Sequence, residues 1–303
     1  MVTVSGAAKT WPNGTRALAP VDLEVRAGDF VTLLGPSGCG KTTLLNLIAG
    51  LIEPSAGALF WWGGGFAATG GPGRQIACVF QSPTLMPWAR VDANVRLPLD
   101  LARVEHGAAG RAGDAALELV GLAGFGKHFP RELSGGMQMR VSIARALATT
   151  PDLLLMDEPF GALDEFTRQR LDLELAALWA ARGFTVVFVT HSIYEAVFLS
   201  TRVAVMGPRP GRVIADVAID EPFPRGDAFR VSMAFAQHCQ RLSALVAEAG
   251  AGTLFVGPAS AGRGAPHGGE PPEGGPTGAL PHRPDRAFRR SGFSRTGRPR
   301  HER

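Results

Sequence analysis

Short apolar runs alternate with amphipathic stretches along most of the chain. The mostly apolar runs lie at residues 29–35, 75–80, 152–157, 184–190 and 202–206. Bounded runs of this length are typical of strands that are buried on both faces of a parallel sheet. The stretches with helical spacing lie at residues 41–50, 165–182 and 192–200. This order of elements predicts an α/β core.

Other stretches depart from this alternation. Residues 90–150 are rich in alanine and leucine at helical spacing and contain no strand-like run, which predicts an inserted helical subdomain. Apolar and polar residues alternate in places at 21–29 and 58–64, which predicts a smaller, partly antiparallel sheet. The glycine-rich stretch at 63–73 is predicted to be a loop, and a phosphate-binding role has little support there because no lysine follows its glycines.

The composition changes after about Ala251, where glycine, proline and arginine dominate and apolar residues are few. Such a segment buries too little surface to offset its chain entropy, so we expect a domain at residues 1–250 and a disordered tail at 251–303. From Gly257 onward the tail has nine arginines and four acidic residues, a charge balance of +5. The net charge of the whole chain is +4, so the residues before Gly257 sum to about −1. The domain is therefore not expected to bind nucleic acid. The tail is either a solvated extension or a contact for anionic lipid or nucleic acid.

Simple counts disfavour several broad classes of protein. No stretch approaches the roughly 18 apolar residues that cross a bilayer, so we expect no membrane span. The first residues show no basic segment followed by an apolar one, so we expect no signal peptide. Cys39, Cys78 and Cys239 are too few and too scattered for a disulfide framework or a zinc site. A reducing cytosol is the expected compartment.

The stretch GPSGCGKT at residues 35–42 fits the phosphate-binding pattern G-x-x-x-x-G-K-[ST] and lies between a predicted strand and a predicted helix. Glycines let backbone N–H groups close around phosphate oxygens, and a helix N-terminus favours the anion. Lys41 would reach the β- and γ-phosphates, and the Thr42 hydroxyl would hold Mg²⁺. A chance glycine turn is the alternative. The predicted nucleotide-binding residues here are Gly35, Pro36, Ser37, Gly38, Cys39, Gly40, Lys41, Thr42 and Thr43.

The apolar run at 152–157 ends in Asp157, and Glu158 follows it directly. Asp157 is placed to orient water on Mg²⁺, and Glu158 is placed to accept a proton from an attacking water. His191 follows the run at 184–190, at a strand end where α/β sites form, and is placed to contact the γ-phosphate and Glu158. A turn cap or surface ion pair for the acids, and a structural role for the histidine, are the alternatives. The motifs G-x-S-x-G, H-E-x-x-H and N-K-x-D of other hydrolases and of GTPases are missing.

A second glycine-rich loop, LSGGM at residues 133–137, has no lysine. The ordered set GPSGCGKTT, Gln81, LSGGMQMR, LLLMDEP, GALD and the Thr-His pair ending at His191 resembles the ATP-binding subunits of ABC transporters. The resemblance covers residues 1 to about 250 and implies a P-loop NTPase core of the ABC ATPase type. It also implies a head-to-tail homodimer. The family's signature loop then covers the γ-phosphate bound by the other copy, and this explains the missing lysine.

The same resemblance assigns roles to single positions. Ser134, Gly135 and Gly136 would offer a hydroxyl, backbone N–H groups and a helix N-terminus to the partner's nucleotide. Gln81 resembles a glutamine that contacts Mg²⁺ and water, and Asp164 lies in a loop that crosses the dimer interface in the family. Trp11 lies where the family stacks an aromatic ring on adenine. For Trp11, a packed surface tryptophan is the alternative. The implied cofactors are ATP and Mg²⁺.

Residues 80–101 and 203–213 resemble ATPases of the nitrate/sulfonate/taurine import group. That resemblance implies an ATP-hydrolysing subunit that drives uptake of a small anion. Its partners would be transmembrane permease subunits and, indirectly, a periplasmic substrate-binding protein. Its place would be the cytoplasmic face of the inner membrane, held there by the permease. A soluble ABC ATPase or an exporter ATPase is the competing function.

Two stretches within these segments have their own expectations. Leu85, Met86, Pro87 and Trp88 are implied to form part of an apolar surface that receives a short permease helix. Ordinary core of the helical subdomain is the alternative. The stretch GPRPG at residues 207–211 is expected to be a turn.

Overall fold

Strands and helices alternate through the chain, and the structure, a computed structural model, describes residues 1–70 and 73–251. The strands are β1 (Val2–Thr10), β2 (Arg16–Val25), β3 (Phe30–Leu34), β4 (Ala56–Trp61), β5 (Ile76–Val79), β6 (Leu153–Asp157), β7 (Thr185–Thr190), β8 (Arg202–Gly207) and β9 (Arg212–Ala218). The helices are α1 (Lys41–Ile48), α2 (Val91–Leu101), α3 (His106–Leu119), α4 (Gly135–Leu147), α5 (Glu165–Arg182), α6 (Ile193–Leu199), α7 (Asp227–Arg230) and α8 (Met233–Ala251), with short 3₁₀ turns at Phe66–Ala68 and Pro130–Glu132. The predicted tail beyond Ala251 and two residues of the predicted loop at 63–73 lie outside the described residues.

The larger sheet has the strand order β5-β6-β7-β3-β8-β9. Strands β5, β6, β7, β3 and β8 run parallel, and β9 pairs antiparallel with β8 at one edge. Every residue of β3 and β7 is buried, as their continuous apolar runs predict. The predicted α/β core is confirmed, and β9 has no counterpart among the predicted elements.

Two hydrophobic cores flank the larger sheet, because successive side chains of a strand point to opposite faces. In β3, Phe30 and Leu34 join a core that includes residues of α4, α5, α6 and α8. Val31 and Leu33 join a second core, which contains the buried face of α1 and the inner faces of β1 and β2. Helix α1 is thereby held firmly against the end of the strand that precedes it.

A smaller sheet has the order β2-β1-β4 and is antiparallel throughout. The predicted smaller sheet is confirmed, but β1 is not among the predicted strands. The regular alternation of β1 ends at Gly6, which adopts a φ of +55° where the pairing with β2 shifts register. A glycine bulge of this kind hides a strand from a simple alternation rule.

The chain between β5 and β6 is helical, in agreement with the predicted helical subdomain. Helices α2, α3 and α4 pack on one another, and α4 also packs on β5. The following helix, α5, covers the predicted residues 165–182. Gly183 ends it in the left-handed conformation at a φ of +68°, which glycine adopts without strain.

The C-terminal part of the domain packs back onto the larger sheet through α8, which contacts α6 and β8. Arg225 is buried just before α7, and its guanidinium satisfies carbonyl groups of neighbouring segments. The accepting carbonyls belong to Val197, Phe198, Ser200, Ile219 and Glu221. Within residues 1–70 and 73–251, no helix combines the length and the apolar character needed to cross a membrane.

Candidate active site

The glycine loop GPSGCGKT connects β3 to α1 at the carboxyl edge of the larger sheet. Gly38 and Gly40 have φ values of +74° and +100°, which only glycine adopts easily. An added Cβ at Gly35 would lie 2.6 Å from the carbonyl oxygen of Met206. No acidic residue lies in the first turn of α1, so the positive end of this helix is not neutralised there. The loop therefore has the backbone shape and the polarity of an anion site.

The Lys41 side chain is buried and folds back over this loop. Its Nζ donates hydrogen bonds to the carbonyl oxygens of Gly35, at 2.9 Å, and Pro36, at 3.1 Å. It also lies 3.8 Å from Glu158 Oε1. A buried ammonium group has to be paired in this way. The Cys39 thiol, in contrast, lies in the core beneath the loop, where burial raises its pKa, so this residue serves the loop through its backbone.

Thr42 and Asp157 meet at the end of β6. The Thr42 hydroxyl donates to Asp157 Oδ1 at 3.0 Å. Burial raises the pKa of Asp157, and the hydrogen bond from Thr42 opposes that rise. A hydroxyl oxygen and a carboxylate therefore stand together beside the glycine loop, and both are ligand types that Mg²⁺ accepts.

Glu158 follows β6 directly and has an unusual backbone conformation. Its φ of +43° is uncommon for a residue with a side chain. Its N–H donates to Val189 of β7 at 3.0 Å, and its carbonyl oxygen accepts from the N–H of Gly161 at 3.1 Å. A strained residue costs about 1–3 kcal/mol and persists because such bonds hold it. The result is a carboxylate aimed at Lys41.

His191 and Gln81 complete this side of the site. His191 follows β7, and its Nδ1 lies 3.2 Å from Glu158 Oε2. Gln81 follows β5 and reaches the same place. An added Cβ at Gly161 would lie 3.7 Å from Glu158 Oε2 and 3.8 Å from Gln81 Nε2. The predicted histidine and glutamine therefore both lie beside the carboxylate of the predicted acid, Glu158.

One cavity of about 280 Å³ joins the glycine loop to Trp11. Lys41, Thr42, Thr43 and Glu158 also line it. The Trp11 ring is 36% exposed and belongs to neither of the two cores. A tryptophan at a cavity wall suits the stacking alternative better than the packed one.

Arg209 lines the same cavity and was not among the predicted site residues. Its stretch, GPRPG, was predicted to be a turn, with no role for Arg209 in the site. The structure places this turn after β8, which pairs directly with β3, so the turn reaches the glycine loop. The available signal was an arginine two residues after a buried strand, but the pairing of β8 with β3 is not visible in the sequence.

The signature loop lies apart from this cavity. Ser134 is exposed and caps α4, its Oγ accepting from the N–H of Met137 at 3.3 Å. Gly135 is exposed, and an added Cβ would make only one contact, with Leu163 at 3.9 Å. Ser134, Gly135 and Gly136 are absent from the lining of that cavity. Packing therefore does not explain the glycine at position 135.

Asp164 lies beside the signature loop. It caps α5 by accepting hydrogen bonds from the Thr167 N–H, at 3.0 Å, and hydroxyl, at 2.7 Å, which lower its pKa. An added Cβ at Gly136 would lie 2.9 Å from the Thr167 side chain. The helix N-termini of α4 and α5 therefore share one surface, and Asp164 does not reach the cavity within its own chain.

Comparison with known proteins decides the family. A family model described as ABC transporter matches residues 18–161. Taurine import ATP-binding protein TauB from Yersinia pestis is 45% identical over 222 residues, which cover 73% of this chain and 85% of that protein. The chain belongs to the ABC transporter family. Aliphatic sulfonates import ATP-binding protein SsuB from Bacillus licheniformis is 44% identical over 211 residues, which cover 70% of this ABC protein and 80% of that one.

A solved structure shares the fold of this ABC protein. The dimeric post-hydrolysis state of the ATP-binding cassette MJ0796, bound to ADP and Pi, matches with a TM-score of 0.64 and 32% identity. The match covers 73% of this chain and 100% of that one. This ABC protein is an ATPase, and the predicted family, fold class and enzyme activity are confirmed.

Proposed function

We propose that this ABC ATPase is the motor of an importer that takes up a small anion such as nitrate, a sulfonate or taurine. The observation that carries the ATP-hydrolysing part of this proposal is the arrangement at the carboxyl edge of the larger sheet. There Lys41, Thr42 and Glu158 line one cavity, and Asp157 and His191 each contact one of them. The likeness to importer subunits named for taurine and for sulfonates supports the direction and the substrate class.

The triphosphate would lie in the glycine loop. Lys41 would exchange its contacts with two loop carbonyls for the β- and γ-phosphates, which a buried ammonium binds more strongly. Thr43, in the first turn of α1, would contact the α-phosphate. Adenine would stack on Trp11 at the other wall of the cavity.

Mg²⁺ would be held beside Thr42. The Thr42 hydroxyl, the Asp157 carboxylate and the Gln81 side chain offer oxygen ligands to it, Asp157 through water. Across residues 1–70 and 73–251, His, Cys, Asp and Glu form no group of three that could hold a metal. This donor set therefore suits an ion that keeps several waters and binds the substrate's phosphates. The ion supplies charge that stabilises the phosphates in the transition state.

Glu158 would act as the general base. Its carboxylate accepts a proton from the water that attacks the γ-phosphorus. His191, at 3.2 Å, orients that carboxylate and reaches the γ-phosphate, and Gln81 positions the water. The strained backbone of Glu158 holds its side chain in place before the nucleotide arrives.

A second copy would supply the other half of each site. Ser134 and Gly135 are exposed at the N-terminus of α4, and the chain makes no use of them in its own cavity. In a head-to-tail homodimer, this loop and Gly136 would cover the partner's γ-phosphate with a hydroxyl and backbone N–H groups. Asp164, on the same surface, would cross the interface.

The segment after Gln81 would receive the permease. Trp88 is 77% exposed, which supports the docking surface over ordinary core. Leu85 is half-buried against the core and anchors the segment. Docking would hold the subunit at the cytoplasmic face of the inner membrane, and a periplasmic binding protein would deliver the anion to the permease.

Closure of the two copies would then drive transport. ATP favours the closed dimer because the closed form makes more contacts with it than the open form. The docked permease helices move together with the two copies, and hydrolysis at Glu158 resets the cycle.

Deletion of the gene in its host tests this function. We expect uptake of labelled nitrate, alkanesulfonate or taurine to be lost. The wild-type gene should restore uptake, and a gene that encodes the Glu158→Gln protein at the same expression level should not. Unchanged uptake of all three anions would refute the proposed substrate class. Accumulation of a compound inside the deletion strain would instead indicate the exporter alternative.

A further inference from the structure

The turn between β8 and β9 packs closely against the phosphate-binding loop. The N–H of Gly211 donates to Ala17, and the N–H of Ala19 donates to Gly211, both at 2.9 Å. An added Cβ at Gly211 would lie 2.0 Å from the carbonyl oxygen of Cys39. Only glycine permits this approach, so GPRPG is more than a surface turn. It is fixed between β2 and the loop.

The packed turn places Arg209 over the phosphate-binding loop. The Arg209 Nε donates to the carbonyl oxygen of Gly38 at 2.7 Å. Its Nη2 lies 2.9 Å from the place that a Cβ of Gly38 would occupy. The side chain is exposed and lines the same cavity as Lys41 and Thr43. Glycine is therefore favoured at position 38 for two reasons: its φ is positive, and a side chain there would collide with the Arg209 guanidinium.

The charge of Arg209 is not matched by an acid. Among the described residues, no carboxylate lies within ion-pair distance of this guanidinium. Several partly buried arginines are paired with acids, for example Arg230 with Asp172 at 2.9 Å. An unpaired guanidinium beside a phosphate-binding loop is suited to an anion, because its N–H groups form short, charge-assisted bonds with phosphate oxygens.

We propose that Arg209 binds the phosphate chain of the nucleotide. The inference rests on the proposed function, because it adds a contact to the same ATP site. The bond from Nε to Gly38 fixes the plane of the guanidinium and leaves its two terminal nitrogens to donate to phosphate oxygens. Lys41 holds the phosphates from within the loop, and Arg209 holds them from the rim of the cavity.

Equilibrium binding of ATP to purified variants tests this role. Arg209→Ala should weaken ATP affinity by about tenfold, since a bond to a charged partner contributes that much. Arg209→Lys should bind ATP more tightly than Arg209→Ala because the charge remains, but less tightly than wild type because the two terminal nitrogens are lost. The matched control is Arg212→Ala, an exposed arginine of β9 that does not line the cavity. It should bind ATP as wild type does.

Salt dependence separates a phosphate contact from a purely structural one. Added salt should weaken ATP binding less steeply in Arg209→Ala than in wild type, because one screened charge contact is gone. Equal slopes, with Arg209→Lys as weak as Arg209→Ala, would mean that Arg209 only braces Gly38 and would overturn the proposal. ATP affinity of Arg209→Ala within twofold of wild type would also overturn it. A wild-type protein that binds no ATP would instead refute the proposed function.

Discussion

The Thr42 hydroxyl donates a 3.0 Å hydrogen bond to Asp157 Oδ1, although 115 residues separate the two in the chain. The parallel pairing of β3, β7 and β6 explains this meeting. Leu34 lies opposite Thr190, and Asp157 lies opposite Val189, so all three strands end at one edge. Nucleotide binding and hydrolysis then depend on different residues at that edge, and single substitutions should separate them.

Lys41→Ala should weaken ATP binding by more than about 100-fold, because the loop loses its only buried ammonium beside the phosphates. Isothermal titration with ATP and Mg²⁺ measures this. Lys127→Ala is the matched control, since Lys127 is exposed and lies away from the cavity. Wild-type ATP affinity in Lys41→Ala would show that GPSGCGKT is not the phosphate site.

Glu158→Gln should bind ATP normally and hydrolyse it at least about 100-fold more slowly, since the amide cannot accept the proton from water. Phosphate release measures the rate. Glu118→Gln, an exposed position on α3, should keep full activity. Turnover close to wild type in Glu158→Gln would remove this residue as the base.

Trp11→Ala should weaken the binding of ATP by about tenfold, because stacking of a base on an aromatic ring contributes roughly 1–3 kcal/mol. Trp11→Phe keeps a stacking ring and should recover most of the affinity. Titration of both variants with ATP decides the matter. If Trp11→Ala and wild type bind ATP equally, Trp11 is a surface residue without contact to adenine.

The elements that could be predicted carry local signals. Helix α5 covers the predicted residues 165–182 because Asp164 caps its first turn and Gly183 ends it. The glycine loop, Asp157, Glu158 and His191 were predictable because each lies at the end of a buried apolar strand or directly after it. In a parallel sheet all strands end at the same edge, so residues at these strand ends lie close together.

Two strands could not be predicted because their alternation of apolar and polar residues is broken. Strand β1 loses its alternation at Gly6, and β9, which directly follows its partner β8, exposes the apolar residue Ile214. Arg209 reaches Gly38 across 171 residues, and this contact exists because β8 pairs with β3. The sequence alone contains no local pattern that indicates this pairing.

Stability should fall as pH rises through the range in which Asp172 titrates. Burial, with the Glu195 carboxylate nearby, raises the pKa of Asp172 to about 7, and the contact with Arg230 opposes this rise without cancelling it. Between about pH 4 and 7 the folded protein therefore holds a proton that the unfolded chain has released. The free energy of unfolding then decreases with pH, by at most about 1.4 kcal/mol per pH unit from this group.

Urea unfolding of wild type and Asp172→Asn from about pH 5 to pH 8 measures this effect. The variant has no carboxyl group at this position, and its free energy of unfolding should fall less steeply with pH. Identical pH profiles for the two proteins would show that Asp172 does not titrate in this range.

We expect ATP to join two copies, with LSGGM of one copy completing the site of the other. Size-exclusion chromatography with light scattering on Glu158→Gln tests it most directly. We predict a mass near 31.9 kDa without nucleotide and roughly twice that with ATP and Mg²⁺. Adding Ser134→Arg should abolish the dimer, and Ser243→Arg, on the exposed face of α8, should not. A protein that stays monomeric with ATP bound, or a dimer that survives Ser134→Arg, would contradict the claim.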